Sequence, residues 1–301
     1  MEYRKVIHQG KGTLTMSLPS KWTRELGITP GDELGVEQRG LQLVVSPSVG
    51  RRRGKKTEID LKGLSKGLVY VVMNNCYIRG DDEVKLLLDS PEQHQAVLDG
   101  ISQLIGFEIV EHSQKSCTIA ELALSEREEF DTLLRRIFLI LLSMADDGAS
   151  ELAKKKPAPL IPIAQRDHTV NKLVAYCLRV LNKKGGVDVN KAMHLYTTLT
   201  LLEQLGDQYS RFYHEVNAVK PTTAQLCRRI ATLLRQFYEL FYTFNKTKAS
   251  AIKDERDRLR KEINTTFPKL KTRDDLLALH HLRQIGDLII DLQKFQMAMQ
   301  I

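Results

Sequence analysis

The stretch RKVIHQGKGTLTMSLPSKWTRELGITPGDELGVEQRGLQLVVSP, Arg4–Pro47, decides the first part of the fold. Runs of β-favouring residues at Tyr3–His8, Thr13–Leu18, Leu34–Gln38 and Leu41–Val45 are cut by Gly and Pro, so each predicts a short strand. Between them Lys21–Leu26 predicts a short helix, opened by Pro19 and Ser20 and stopped at Gly27. Ser20 is placed to cap the first turn, and glycine is the favoured residue beyond a helix end. Ile28–Asp32 reads as a turn and Arg39-Gly40 as the tip of a hairpin. Residues 1–50 form this first domain.

Outward from it, Ser46–Gly50 runs into Arg51-Arg52-Arg53-Gly54-Lys55-Lys56, five positive charges in six residues. Like charges this dense repel one another and resist packing, so 51–60 is expected to be a solvated basic linker. The formal charge of the chain is +8, and eleven Lys or Arg against five Asp or Glu lie between Met1 and Lys56. Such a local surplus suits a polyanion, because each phosphate neutralised releases condensed counterions. A basic surface that serves solubility alone is the competing reading of the charge.

Residues 61–124 read as a small α/β connector. Leu68–Met73, Glu83–Leu88, Phe107–His112 and Cys117–Ala123 are expected as strands, and Pro91–Ile105 as a helix. From Ser125 onward the apolar spacing changes to the helical period, with segments at 126–156, 165–184, 188–217, 222–246, 249–266 and 272–299. Ile285, Leu288, Ile289, Leu292 and Phe295 give the stripe of a helix laid on a core. Leu202-Glu203-Gln204-Leu205-Gly206-Asp207 returns 80 residues later as Leu282-Arg283-Gln284-Ile285-Gly286-Asp287. Each copy falls on the third helix of a set of three, which divides the region into repeats at 125–220 and 221–301.

The N-terminal stretch resembles the AbrB/MazE/SpoVT swapped-hairpin family in its archaeal form. The carrying residues are Arg4-Lys5-Val6, Ser17-Leu18-Pro19 with Lys21-Trp22, Leu26-Gly27-Ile28, Pro30-Gly31-Asp32 and the hairpin into Leu43-Val44-Val45. The resemblance implies a homodimer in which hairpins of two chains interleave into one β-barrel, since a single copy cannot bury its apolar strand faces. It also implies that Arg4, Lys5, Lys11, Lys21 and Arg24 face double-stranded DNA, where charge-assisted bonds reach phosphates and arginine can grip a guanine edge. Arg51, Arg52 and Arg53 would add nonspecific affinity from the linker. The loop His8–Thr13 is longer and richer in glycine than in bacterial AbrB.

Ser125–Ile301 resembles the PhoU family, whose two three-helix repeats carry an E/DxxxD motif. LLEQLGDQY is similar to that motif and sets Glu203 and Asp207 four apart on one helix face. The resemblance implies iron or zinc held by Asp167, Glu203 and Asp207, with Asn171 as a weaker oxygen ligand; a solvated acidic face is the alternative. In the second repeat Arg283 stands where the acid would be, and Asp254 is followed by Arg258. A guanidinium there competes with any cation, and Arg283 is expected to pair with Asp287. Together the resemblances imply an α+β multidomain chain: a swapped-hairpin β-barrel of the AbrB kind, a small α/β connector, and an all-α pair of three-helix bundles of the PhoU kind.

No nucleophile stands in a recognisable setting, and Gly10-Lys11-Gly12-Thr13 falls short of a phosphate-binding loop, so an enzyme is not expected. Cys76, Cys117, Cys177 and Cys227 are far apart, have no zinc spacing and read as buried thiols. His280-His281 point about 100° apart on a helix and read as surface residues. Phe237, Tyr238, Phe241, Tyr242 and Phe244 read as bundle core. No apolar run is long enough to cross a bilayer, so a cytoplasmic protein without membrane insertion is expected. The expected function is a dimeric transcriptional regulator of phosphate uptake or homeostasis, whose helices report phosphate, metal or a protein partner. The alternative is a PhoU-type adaptor that acts on a phosphate-transport or signalling protein, with the barrel serving to dimerise.

Overall fold

A computed structural model describes residues 3–10, 12–39, 42–47, 55–122, 130–183 and 189–300. The chain divides into two compact units, Met1–Gly54 and Lys55–Ile301.

The first unit holds two antiparallel hairpins and one short helix. Strand β1 (Val6–Gln9) pairs with β2 (Thr13–Met16), and β3 (Leu34–Arg39) with β4 (Gln42–Pro47). Helix α1 (Ser20–Glu25) lies between them. Residues opposite one another share a face, so Val6, Met16 and Leu14 line one side of the first hairpin. Leu34, Val36, Leu43 and Val45 line one side of the second. Ser20 does not cap α1: Pro19 is the N-cap, no side chain caps it, and Ser20 is already helical. The turn after α1 is built as the sequence predicts. Gly27 and Gly31 take positive φ of 64° and 94°, a region that glycine enters without steric cost. The Thr29 backbone N–H and hydroxyl both donate to the Asp32 carboxylate.

The second unit begins with a four-stranded sheet, β5 (Lys56–Asp60), β6 (Glu83–Leu87), β7 (Phe107–His112) and β8 (Ser116–Glu121), in the order β5-β6-β8-β7. Strands β5 and β6 are parallel, so the chain crosses between them through α2 (Lys66–Ile78); α3 (Pro91–Ile101) links β6 to β7. Leu68–Met73 is therefore helix, not strand. Its buried members Val69 and Met73 continue in Cys76 and Tyr77 at helical spacing, and exposed Leu68 and Val71 hid that period in an unbroken apolar run. Lys56–Asp60, placed by its charge in the linker, is a strand. Thr57 and Ile59 turn partly inward while Lys56, Glu58 and Asp60 stay exposed. Lys85 pairs with Glu58 at 2.8 Å and Lys56 with Glu83 at 2.7 Å across the solvent face of the sheet.

Helices α4 (Phe130–Leu152), α5 (Ile161–Ala164), α6 (Asp167–Lys183), α7 (Val189–Glu215), α8 (Pro221–Tyr242), α9 (Lys246–Thr266) and α10 (Arg273–Ala298) complete the unit. Helices α4, α6 and α7 pack on one another, as do α8, α9 and α10. The two sets are sealed by α4 against α8 and α7 against α10, and their buried side chains form one continuous apolar core. Phe138 of α4 meets Phe237, Tyr238, Phe241 and Tyr242 of α8 at that seam, as the aromatic spacing predicts. Gly148 of α4 permits the closest approach of α7: a Cβ there would lie 2.1 Å from the Tyr213 hydroxyl, which donates to the Met144 carbonyl at 2.8 Å. All four cysteines are buried and free. No helix among the described residues is long and apolar enough to cross a membrane.

Candidate functional site

In the first unit the chemistry is that of charge on an apolar frame. None of its described residues is buried. Val6, Leu14, Met16, Val36 and Leu43 are each 53–68% exposed, on strands whose pairing sets them on shared faces. Folding of one copy thus leaves most of its apolar strand surface in water. Lys21 and Arg24 stand three apart on α1 and are exposed; Lys21 approaches Glu25 at 4.0 Å. Arg4 and Lys5 are exposed just before β1. Lys11, Arg51, Arg52 and Arg53 lie outside the described residues.

In the second unit the carboxylates of the repeated motif line a groove between α7 and α10. The two helices run antiparallel, with Glu215 bonded to His281 and Gln208 to Gln284. Glu203 and Asp207 from α7 and Asp287 and Asp291 from α10 border a concavity of about 630 Å³. Asp167, the first residue of α6, is 7% exposed and reaches under α7 at Gly206, where a Cβ would lie 2.5 Å from its Oδ1. Asn171 donates to Asp167 Oδ2 at 3.3 Å, while the Oδ1 atoms of both residues are buried without a hydrogen-bond partner. Burial, then the Asp207 charge, pushes the Asp167 carboxyl up to about 7, and burial followed by Asp207 also raises Glu203.

The four residues named from the first repeat therefore come together. Two orphaned oxygens, Asp167 Oδ1 and Asn171 Oδ1, would accept a hard cation, and the donor set is oxygen throughout, without the nitrogen or sulfur that zinc favours. Asp207 already accepts from Arg211 at 2.8 Å, and no group of three His, Cys, Asp or Glu among the described residues converges on one ion position. Asp167 also ties stability to pH. The unfolded carboxyl loses its proton near 3.8 and the folded one near 7, so the fold is progressively penalised as pH rises between those values. Asp167→Asn is expected to stabilise the protein by about 1–3 kcal/mol near pH 8, with the gain vanishing near pH 4. Urea unfolding at the two pH values measures this, and an equal gain at both would refute the buried charge.

The second repeat carries its own cation, but from a different residue than its sequence suggests. Arg283 is exposed. The guanidinium beside Asp287 belongs to Arg256 of α9, at 3.4 Å, with Arg260 at 3.8 Å. A Cβ on Gly286 would meet Arg256 Cγ at 3.7 Å, so Arg256 occupies in this repeat the place that Asp167 takes beside Gly206. Arg258 bonds Glu255 instead, and Asp254 is exposed. His281 is not a surface residue. It is 4% exposed between Gln208 and Glu215, and burial lowers its pKa below the usual imidazole value. Its antiparallel partners lie more than sixty residues away in sequence, which no local spacing could reveal.

Residues 7–53 match the family model described as antidote-toxin recognition MazE, bacterial antitoxin. No curated protein matches the chain. Among solved structures it is similar to the crystal structure of the phosphate transport system regulatory protein PhoU from Streptococcus pneumoniae. That likeness has 16% identity and a TM-score of 0.39, and covers 56% of this chain and 95% of that one. Residues 7–53 thus carry a MazE/AbrB-like domain, and helices dominate the second unit.

Proposed function

We propose that this chain is a dimeric DNA-binding transcriptional regulator of phosphate uptake or homeostasis, with the helical unit as its sensor. The observation that carries the reading is the first unit, in which no described residue is buried although the strands set their apolar residues on shared faces. A second copy covers those faces and doubles the cations Arg4, Lys5, Lys11, Lys21 and Arg24 on one surface; the MazE match supports the same assignment. Arg51, Arg52 and Arg53 extend that positive charge along the tether. The phosphate assignment rests on the resemblance of LLEQLGDQY to the PhoU motif, and the groove beneath it would take a hard divalent cation. One or two protein oxygens with water completing the shell suffice for such an ion.

Fluorescence anisotropy with duplex DNA tests the reading. Six to ten phosphate contacts would weaken binding by about 10³–10⁵-fold between 50 and 200 mM salt. Binding without a salt slope, or none in dilute buffer, would leave the adaptor reading, in which the helical unit contacts a transport or signalling protein.

A further inference from the structure

Two histidines outside every feature above meet on the α/β layer. His94 lies in the first turns of α3, and His112 ends β7. His94 Nδ1 is 2.8 Å from His112 Nε2, with ring centroids 4.9 Å apart. On its other side His94 Nε2 is 3.2 Å from the Gln114 backbone carbonyl. A carbonyl only accepts, so Nε2 carries the hydrogen, and the lone pair of the neutral ring sits on Nδ1, facing His112. His112 then bridges the gap with its own Nε2–H.

Both rings are mounted on rigid supports. Gln93, the residue before His94, is 1% exposed and donates to the carbonyls of Leu61 at 2.7 Å and Leu64 at 3.0 Å. His112 leads into, and Gln114 lies within, a turn closed by Ser113 N–H donating to Ser116 O at 2.8 Å, and by Ser116 N–H donating to Ser113 Oγ at 3.1 Å. One turn therefore fixes both a ring and the carbonyl that orients its partner. Imidazoles that ligate metals are held in this way, with the far N–H donated to a backbone carbonyl. The shared point between the rings borders a concavity of about 660 Å³, which Asp89 also lines.

We propose that His94 Nδ1 and His112 Nε2 bind a divalent transition-metal ion of the zinc class. Zinc–nitrogen arms of about 2.0–2.1 Å in tetrahedral geometry set two ligands roughly 3.3 Å apart. The rings need to part by only about 0.5 Å, which partly exposed side chains absorb. The ion takes the place of the bridging hydrogen, which moves to His112 Nδ1, so neutral rings bind without net proton release. Water fills the remaining positions. Nitrogen donors distinguish this site from the all-oxygen groove of the helical unit and favour zinc, nickel or copper over magnesium.

The test is modification of the full-length protein by diethyl pyrocarbonate, read residue by residue by mass spectrometry, with Zn²⁺, with Mg²⁺ or with neither. Zn²⁺ is expected to slow reaction of His94 and His112 by about tenfold or more, while exposed His214 and His280 are unchanged and Mg²⁺ has no effect. His112→Ala is expected to abolish protection of His94, and Asp167→Asn to leave it intact. Equal rates at both rings with and without Zn²⁺, or protection of His94 that survives His112→Ala, would overturn the proposal.

Discussion

Replacing Val36 and Leu43 together by Asp is expected to leave the first unit without its partner copy and to weaken DNA binding. The two side chains are 63% and 68% exposed in one copy and stand on the same face of the β3–β4 hairpin. Burying an aliphatic side chain of this size contributes about 1.5–3 kcal/mol, and a symmetric dimer buries each twice. The double substitution therefore removes roughly 6 kcal/mol or more, before the cost of desolvating four carboxylates. At about 1.4 kcal/mol per factor of ten, the dimer dissociation constant weakens by about four decades. Halving the cations presented to one duplex then lowers both DNA affinity and the slope of its salt dependence. Analytical ultracentrifugation over a concentration series and DNA anisotropy on the same samples read both effects. Gln42→Asp, on the opposite face of the hairpin, is expected to change neither. A double variant that stays dimeric and keeps a full salt slope would show that a second copy does not cover this face.

That experiment addresses the part of the molecule that was most legible in its sequence. The strands and turn of Arg4–Pro47 are set by local chemistry, including glycines at positive φ and an Asp that accepts from Thr29, and such features are written in neighbouring residues. The helices of the second unit were legible for a similar reason, because a period of 3.6 sustained over twenty residues has few competing explanations. Short segments of mixed signal misled. Leu68–Met73 is apolar at both buried and exposed positions, and Lys56–Asp60 is a strand whose charges face water. The acidic groove was half visible. Glu203 and Asp207 announce themselves by spacing, and Asp167 lies near enough for their charges to act on it. The guanidinium of the second repeat comes from Arg256, which no motif marks, and Arg283 stays at the surface. His94 and His112 are joined only through tertiary packing of α3 on the β7–β8 hairpin.

Arg179→Met is expected to cost about 3–5 kcal/mol, a large part of the 5–15 kcal/mol that holds an ordinary domain together. Arg179 is 1% exposed where α6 meets the α/β layer. Its Nη1 donates to the carbonyls of Tyr77 at 2.7 Å and Asp81 at 2.8 Å, and Nη2 to Glu121 at 3.0 Å. The guanidinium also lies 4.9 Å from the ring centre of Tyr77 and 4.7 Å from that of Phe107. Methionine keeps most of the stem packing but removes the side-chain donor to the Asp81 carbonyl, leaves the Tyr77 carbonyl with the Gly80 N–H, and leaves Glu121 with Lys183 alone as counter-ion. Lys183→Met, which removes a cation 26% exposed at the same cluster, is expected to cost about 1 kcal/mol, because water can replace it. Urea midpoints separate the two, and a loss within about 1 kcal/mol for Arg179→Met would mean that the buried guanidinium is not what joins the layer to the bundle. The consequence reaches the chain entry. Asp82, 3.5 Å from Arg179, also accepts from the backbone N–H of Lys55 at 2.7 Å, and Lys55 Nζ pairs with Asp81 at 2.7 Å. Lys55 is the first residue after the N-terminal unit. Helix α6 thus carries Asp167, buried beneath α7 at Gly206, at one end and, at the other, the arginine beside the point where the second unit's chain begins.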